Sequence, residues 1–523
     1  MPSRNRLGGL LVEDGALAVH LDGFRDDEAR AYLEKRLGAA VVDAEPAARD
    51  AIVARCGGLP LALAVVCARV AGRPGFTLAT VAEELAEGDG LDAYLRAVFS
   101  WSYRQLPAPA AELFRRLALH PGPDVTLAAA VNVAGRDRAG TRSLLRELVD
   151  AHLLNERRPG RFAYHDLLRG YAVELTGRAD PPEERDGVLR RLVEYHLHTA
   201  DHVMQTYLSY RRPDRVGPVP PDVTADRFPD GERALAWMDA EYENLMALAE
   251  TCRAAPRQHY LGPLIWTMAP YQQDVRSYVE DSFTLCAHAL EWAERTGERW
   301  WVGFLTFLIG RGHLRLDQPE RARPYLERTV EVGRETGDRH RLAHGLLGLA
   351  ATYITTTEIP TREQAELAYP YAREAMENYR RVANVAARTE LANALHPIAW
   401  YHFFQPGGRA TALRHFEESA ELHRQAGNAQ GEATAVLQLA LFHQACGDLV
   451  AATAFGEKAV ELYGTSHDLR IDPLIVLYSI LVEAGEDERA ERVRGEATVL
   501  LRTARYPDLV RLEKILKATP AQS

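Results

Sequence analysis

Lysine is nearly missing from this 523-residue chain. Only Lys35, Lys458, Lys514 and Lys517 occur among its 62 basic side chains; the rest are arginine. None of the four stands in a Gly-x-x-x-x-Gly-Lys-Ser/Thr setting, which excludes a phosphate-gripping loop of that type from this chain. Alongside abundant alanine, the arginine bias reads as the codon usage of a GC-rich genome. Cysteine is sparse: Cys56, Cys67, Cys252, Cys286 and Cys446 are odd in number, scattered, and form no Cys-x-x-Cys pair. That excludes a disulfide framework and predicts reduced, mostly buried thiols. No apolar run reaches the ~18 residues of a membrane span. Met1 to Leu10 has no apolar signal-peptide region, so the cytoplasm is the expected compartment and no membrane partner is expected. Acidic residues outnumber basic ones 73 to 62, a net charge of −11, which argues against a general nucleic-acid binder but leaves room for one locally basic module. His198 and His202 have an i, i+4 spacing that can hold zinc. No His-Glu-x-x-His order or nearby cysteine completes the set, so His196, His198 and His202 read as surface or hinge residues. No nucleophile elbow, Ser/His/Asp set or paired-carboxylate motif stands out, so the chain is not expected to be an enzyme.

What remains is helical. Apolar residues make up 47% of the chain, enough for the three or four domains its length suggests. Ala16 to Leu21 reads as one short strand. Asp26-Asp27-Glu28 opens a helix through Leu37, with acids at its positive end, and Pro46 starts another through Arg55. After a Gly57-Gly58-Leu59-Pro60 break, Leu61 to Ala71 is almost wholly apolar and should be buried. From about residue 90, helices Leu91 to Tyr103, Ala108 to Leu119 and Thr141 to Leu154 lead into a strand, a Pro159-Gly160 turn and a second strand ending at Tyr164. Helices followed by a β-hairpin is the winged-helix order. Arg142, Arg146, Arg157, Arg158 and Arg161 make that module modestly basic, but Leu144, Leu145 and Leu148 claim one face of its third helix for packing. Further helices run from Glu184 to Tyr207 and from Glu232 to Ala249.

From about residue 255 the chain repeats itself. Ala322-Arg-Pro-Tyr-Leu-Glu-Arg-Thr-Val-Glu and Ala368-Tyr-Pro-Tyr-Ala-Arg-Glu-Ala-Met-Glu share one template, and Ala412 to Asn428 and Ala452 to Asp468 follow it. The equivalent glutamates, Glu291, Glu331, Glu377, Glu421 and Glu461, are 40, 46, 44 and 40 residues apart. Each copy is preceded by another helix, such as Trp301 to Leu316. A period near 40 built from helix pairs predicts an α-solenoid. Gly310 and Ala440 on the first helices, with Ala322 and Ala452 on the second, mark close crossings. Gly447-Asp448 supplies a turn. His313 and His443 occupy equivalent positions and read as structural. Trp301, Phe304, Tyr353, Trp400, Tyr401 and Phe442 are candidates for a ligand or partner groove on the concave face.

Several motifs together resemble a known family. Cys56-Gly-Gly-Leu-Pro-Leu-Ala62 resembles the Gly-Leu-Pro-Leu-Ala motif of NB-ARC domains, the nucleotide switches of STAND-class signalling ATPases. Ser3-Arg4-Asn5 looks like the sensor strand end of that domain, and Tyr164-His165-Asp166 looks like its Met-His-Asp motif. Ala234-Leu-Ala-Trp-Met-Asp-Ala-Glu-Tyr-Glu-Asn-Leu245 resembles the linker motif of bacterial members. The repeats are similar to tetratricopeptide repeats. The whole resembles the C-terminal part of actinobacterial SARP-type large transcriptional regulators. The resemblance implies a mainly α fold: a remnant of the nucleotide-binding sheet (1–25), a helical NB-ARC subdomain (26–88), a winged helix (89–178), a helical linker (179–254) and the repeat solenoid (255–523).

The resemblance also implies three nucleotide contacts: Pro60 on adenine, His165 on a diphosphate in the closed state, and Arg4 on the terminal phosphate. The phosphate loop and magnesium strand that precede the sensor arginine in the family are not in this chain. The expectation is therefore the regulatory portion of a larger or split protein, with no cofactor bound by this chain alone and ADP or ATP implied for the intact family. Its expected partners are a protein or small-molecule signal on the solenoid and a nucleotide-binding domain in cis or in trans, with a homo-oligomer as a further option. The alternatives are a stand-alone tetratricopeptide scaffold, one half of a split ATPase and, least favoured, a DNA-binding winged-helix protein.

Overall fold

The computed structural model describes residues 24–56, 60–72, 77–87, 99–100, 102–151, 153–207, 215–254, 256–275, 279–355, 357–382, 385–464 and 470–503. Arg4 and the Ala16 to Leu21 run lie outside the described residues. Two compact units emerge. Unit 1 comprises residues 1–199, 218–226 and 241–248; unit 2 comprises 200–217, 227–240 and 249–523.

Unit 1 opens with helices α1 (Asp26–Leu37), α2 (Ala39–Ala44), α3 (Pro46–Cys56), α4 (Pro60–Gly72) and α5 (Leu78–Glu87). Leu33, Ile52, Leu63, Val66, Leu78 and Val81 form their common core. The acidic first turn of α1 carries Asp26, Asp27 and Glu28, where the helix dipole favours carboxylates. Next come α6 (Ala108–Leu117), β1 (Val125–Thr126), α7 (Leu127–Ala134), α8 (Arg138–Asp150), β2 (Asn155–Arg158), β3 (Arg161–Ala163) and α9 (Asp166–Ala179). The three strands form one antiparallel sheet in the order β1-β3-β2, with Val125 opposite Phe162. This is the winged-helix order. Gly160 closes the hairpin at φ 77°, a conformation in which a side chain would be strained. The hairpin and α8 were legible in the sequence, whereas β1 and α7 were not.

Helix α10 (Pro182–Tyr207) and helix α11 (Gly231–Thr251) each give residues to both units. The remainder of unit 2 is the repeat array. It begins with α12 (Leu261–Pro270) and α13 (Val279–Thr296). The pairs that follow are α14 (Arg299–Arg315) with α15 (Pro319–Thr336), α16 (Arg339–Ala351) with α17 (Arg362–Arg380), and α18 (Val385–Phe403) with α19 (Arg409–Gln425). Two more pairs complete it: α20 (Ala429–Ala445) with α21 (Leu449–Leu462), and α22 (Ile471–Glu483) with α23 (Asp487–Thr503). Each helix packs on the next, which is the predicted solenoid.

The small residues do what close crossings need. A Cβ on Gly310 would stand 2.7 Å from Leu326 Cγ, and one on Gly348 would stand 2.5 Å from Leu326 Cδ2, so one fully buried leucine is held between two glycines. At the Gly447-Asp448 turn, Gly447 takes φ 79° and Asp448 caps α21 by accepting from the Ala451 N–H at 3.1 Å. His313 and His443 brace equivalent turns. His313 Nδ1 lies 2.9 Å from Gln318 Oε1 and His443 Nδ1 lies 3.5 Å from Asp448 Oδ2, so each reaches the cap of the following helix.

All five cysteines are free, and four are buried. Burial pushes the thiols of Cys56, Cys252 and Cys286 up to about 12, which keeps them unreactive. Among the described residues, no helix is long and apolar enough to cross a membrane.

Candidate functional site

The residues that sequence singled out fall into two neighbourhoods. The first lies in unit 1, at the start of α9. Tyr164 is buried; its ring centre is 5.4 Å from that of Phe114, and its hydroxyl donates to the Phe114 carbonyl oxygen. Burial raises the Tyr164 hydroxyl well above its ordinary pKa, so it stays a neutral donor. This anchor fixes the position of His165, the half-buried N-cap residue of α9. Pro60 is the exposed first residue of α4, where its missing N–H is no loss. The helix before it, α3, packs against α9. The two residues implied in nucleotide binding thus sit on different elements of one unit, and the third, Arg4, lies outside the described residues.

Behind α9 the linker motif is built into the winged-helix module. Glu241 and Asn244 of α11 are both buried. Arg161, on β3, donates from Nη1 to Glu241 at 2.6 Å and from Nε to both Asp124 oxygens at 3.0–3.1 Å. Asn244 Nδ2 donates to Glu241 Oε2 at 2.9 Å. His196 Nε2 stands 3.4 Å from the same oxygen, and its Nδ1 is 2.9 Å from the Leu192 carbonyl oxygen. His120 lies 5.6 Å from His196, ring to ring. Burial first, then the His196, Arg169 and Arg161 charges, lower His120 well below the usual histidine range, so it is neutral and its Nδ1 accepts from the Gly122 N–H at 3.1 Å. A Cβ on Gly122 would come within 1.9 Å of Asn244 Oδ1, so only glycine fits there.

Two expectations are corrected here. His196 and His198 are buried, not surface residues; each faces a carboxylate, with His198 Nε2 at 3.1 Å from Glu194. Arg161 leaves the basic group on the wing, because a buried partner and Asp124 already occupy its guanidinium. A cluster of this kind holds four segments in register, the 120–124 stretch, β3, α10 and α11, and presents no nucleophile. Its chemistry is positional.

The second neighbourhood is the solenoid. Phe304, Trp400 and Phe442 are at most 6% exposed, so they do not line a groove. The first helix of each pair is covered by its own partner and by helices of adjacent pairs, which closes the face that helical spacing alone leaves open. Trp400 packs on Phe416 and Phe403 and donates from Nε1 to Gln438 Oε1 at 2.8 Å; Phe442 packs on the same two phenylalanines. Trp301 is half-buried against Gly262, where a Cβ would meet its ring at 2.8 Å. Tyr353 is half-buried, accepts from Arg323 Nη1 and stacks on Tyr371 at 6.2 Å. Tyr401, also half-buried, stacks on Tyr369 at 3.8 Å. Sequence reasoning missed Arg341, on α16, and Arg215, in the turn that precedes α11; both guanidinium groups reach Trp300 of α14. Arg341 is basic in a segment that otherwise reads as solvated, so no sequence signal marks its burial.

A chain with this arrangement is similar in sequence to regulatory proteins of Streptomyces. The chain is 28% identical, over 96% of its length, to Regulatory protein AfsR of Streptomyces griseus, and 36% identical, over 48% of its length, to Regulatory protein AfsR of Streptomyces coelicolor. It spans about half of the first relative (54%) and about a quarter of the second (26%). Among solved structures, a STAND protein with a tetratricopeptide repeat sensor from Pyrococcus horikoshii aligns over 97% of this chain and 76% of its own, at 14% identity and a TM-score of 0.34. No protein-family model matches the chain.

Proposed function

We propose that this chain is the non-catalytic, cytoplasmic regulatory portion of a STAND-type transcriptional regulator. Its solenoid receives a protein or small-molecule signal. Its winged-helix module reports that signal to a nucleotide-binding core supplied in cis or in trans. In this reading Pro60 and His165 belong to the face that meets ADP, and ADP holds the helical and winged-helix parts closed until nucleotide exchange and signal release them. The observation that carries the reading is the burial of linker-motif residues Glu241 and Asn244 against wing residue Arg161. That arrangement makes the position of α11 and the position of the wing one variable.

The direct test supplies a phosphate-loop domain of this family in trans and measures ADP binding by calorimetry. Binding that needs both chains and weakens in His165→Ala and Pro60→Ala supports the proposal. Binding by the mixture that ignores both substitutions removes these residues from the site. Failure of the two chains to associate favours a stand-alone scaffold.

A further inference from the structure

Helix α16 opens against the usual order of charge. Its first turn carries Arg339, His340 and Arg341 and no acid, although the positive end of a helix favours carboxylates. Arg341 is only 6% exposed. Its stem crosses Gly303, where a Cβ would stand 3.1 Å from Arg341 Cγ. Its guanidinium lies 4.9 Å from the ring centre of Trp300 and 5.5 Å from that of Phe304. Its Nε is buried without a hydrogen-bond acceptor, and among the described residues no carboxylate lies within 4.0 Å of the group.

A second guanidinium shares the same indole. Exposed Arg215 sits 4.0 Å from the Trp300 centre. The two guanidinium carbons are therefore no farther apart than the 8.9 Å to which these two distances add. The acids nearby are engaged elsewhere. Glu335 pairs with Arg299 and Arg328, and Asp338 accepts from the Arg341 backbone N–H at 2.9 Å.

Stacking on aromatic faces offsets only part of a buried cation's desolvation. A desolvated charge without a partner is costly. A second cation on the same ring adds repulsion rather than relief. Burial foremost, against the pull of Asp338 and with Arg215 adding to it, pushes Arg341 down to about 10, so it remains charged at neutral pH. Two guanidinium groups so placed offer their donors to an anion.

We propose that Arg341 and Arg215, gathered over Trp300, form a receptor site for a small multivalent oxyanion, a phosphate or polycarboxylate ligand, with the planar fork of Arg341 taking two oxygens side by side. The site gives the signal of the proposed sensor a chemical class, and it rests on that reading only for its regulatory meaning.

The full chain tests it. The rings of Trp266 and Trp301 lie 5.7 Å and 4.9 Å from that of Trp300, so tryptophan emission reports occupancy. Inorganic phosphate and citrate are titrated separately against chloride at matched ionic strength. The expected result is a saturable emission change and a raised melting midpoint, with affinity lowered about tenfold or more in Arg215→Ala and Arg341→Met. A response to phosphate alone marks a phosphate ligand, and a response to citrate alone a carboxylate one. Without anion, Arg341→Met should melt no lower than wild type, since it removes an uncompensated buried charge. Exposed Arg215 gives a second variant should Arg341→Met fail to fold. A wild-type response no larger than that to chloride, or equal responses in both variants, overturns the site. Anion binding that leaves nucleotide binding by the reconstituted pair unchanged overturns the relay and leaves the site standing.

Discussion

Replacing Glu241 by alanine tests the linker-to-wing joint. Its carboxylate is buried and takes bonds from Arg161 and Asn244. Removing one partner of a buried ion pair costs about 3–5 kcal/mol. Asp124 remains bonded to Arg161, so the low end applies, about 3 kcal/mol. For a unit of this size that is a fall in melting midpoint of about 6–12 °C. Two units make a single transition unsafe, so the loss is best read by amide hydrogen exchange at Phe162 and Ala163 on β3. Protection there should fall, while helices α20 to α23 of the solenoid keep theirs. Glu241→Gln, which keeps the shape and one acceptor, should lose less than half as much. The apolar pair Arg161→Met with Glu241→Leu, combined with Asp124→Asn so that no unpaired carboxylate is left, should recover part of the loss. A Glu241→Ala variant within about 0.5 kcal/mol of wild type, the range of an ordinary surface change, would refute the reasoning.

Acid should weaken the solenoid. His396 and His423 are buried, and burial foremost lowers them from an ordinary 6.5 to about 3 and about 4. The unfolded chain therefore takes up their protons first, so stability is complete above about pH 6.5 and is lost as pH falls toward 4 and then 3. Each contributes a slope of up to about 1.4 kcal/mol per pH unit, and His423→Gln should flatten the urea-midpoint profile of unit 2 by that share. At Gly348, valine should destabilise by about 1–3 kcal/mol in urea melts, because Leu326 is clamped from the other side by Gly310 and cannot retreat. Combining it with Leu326→Ala should cost less than the two changes summed; strict additivity would show that the clash is not with Leu326.

Much of this architecture could be read from residues because local chemistry repeats. The template beginning Ala322-Arg-Pro-Tyr recurs along unit 2, and the helices it predicts lie within a few residues of those observed. The hairpin after Leu154 was signalled by Pro159-Gly160. Strand β1 was not, because two residues carry no period. Helix α7 buries Leu127, Ala129, Ala130, Asn132, Val133 and Ala134, so it has no polar face to reveal it. The aromatic groove was over-read for a related reason. Helical spacing assigns Trp400 and Phe442 to a face, but it cannot say that neighbouring pairs will cover that face. At the joint, the linker motif was visible as a string, while the pairing of Glu241 with Arg161, 80 residues away in sequence, is a property of the folded chain.

The central claim is that this chain listens and relays without turning over nucleotide. Incubating the purified chain alone with ATP and magnesium, and titrating it with ADP by calorimetry, tests that most directly. The account predicts no phosphate release above buffer and no micromolar ADP binding. Sustained hydrolysis, or a micromolar ADP isotherm, would contradict it.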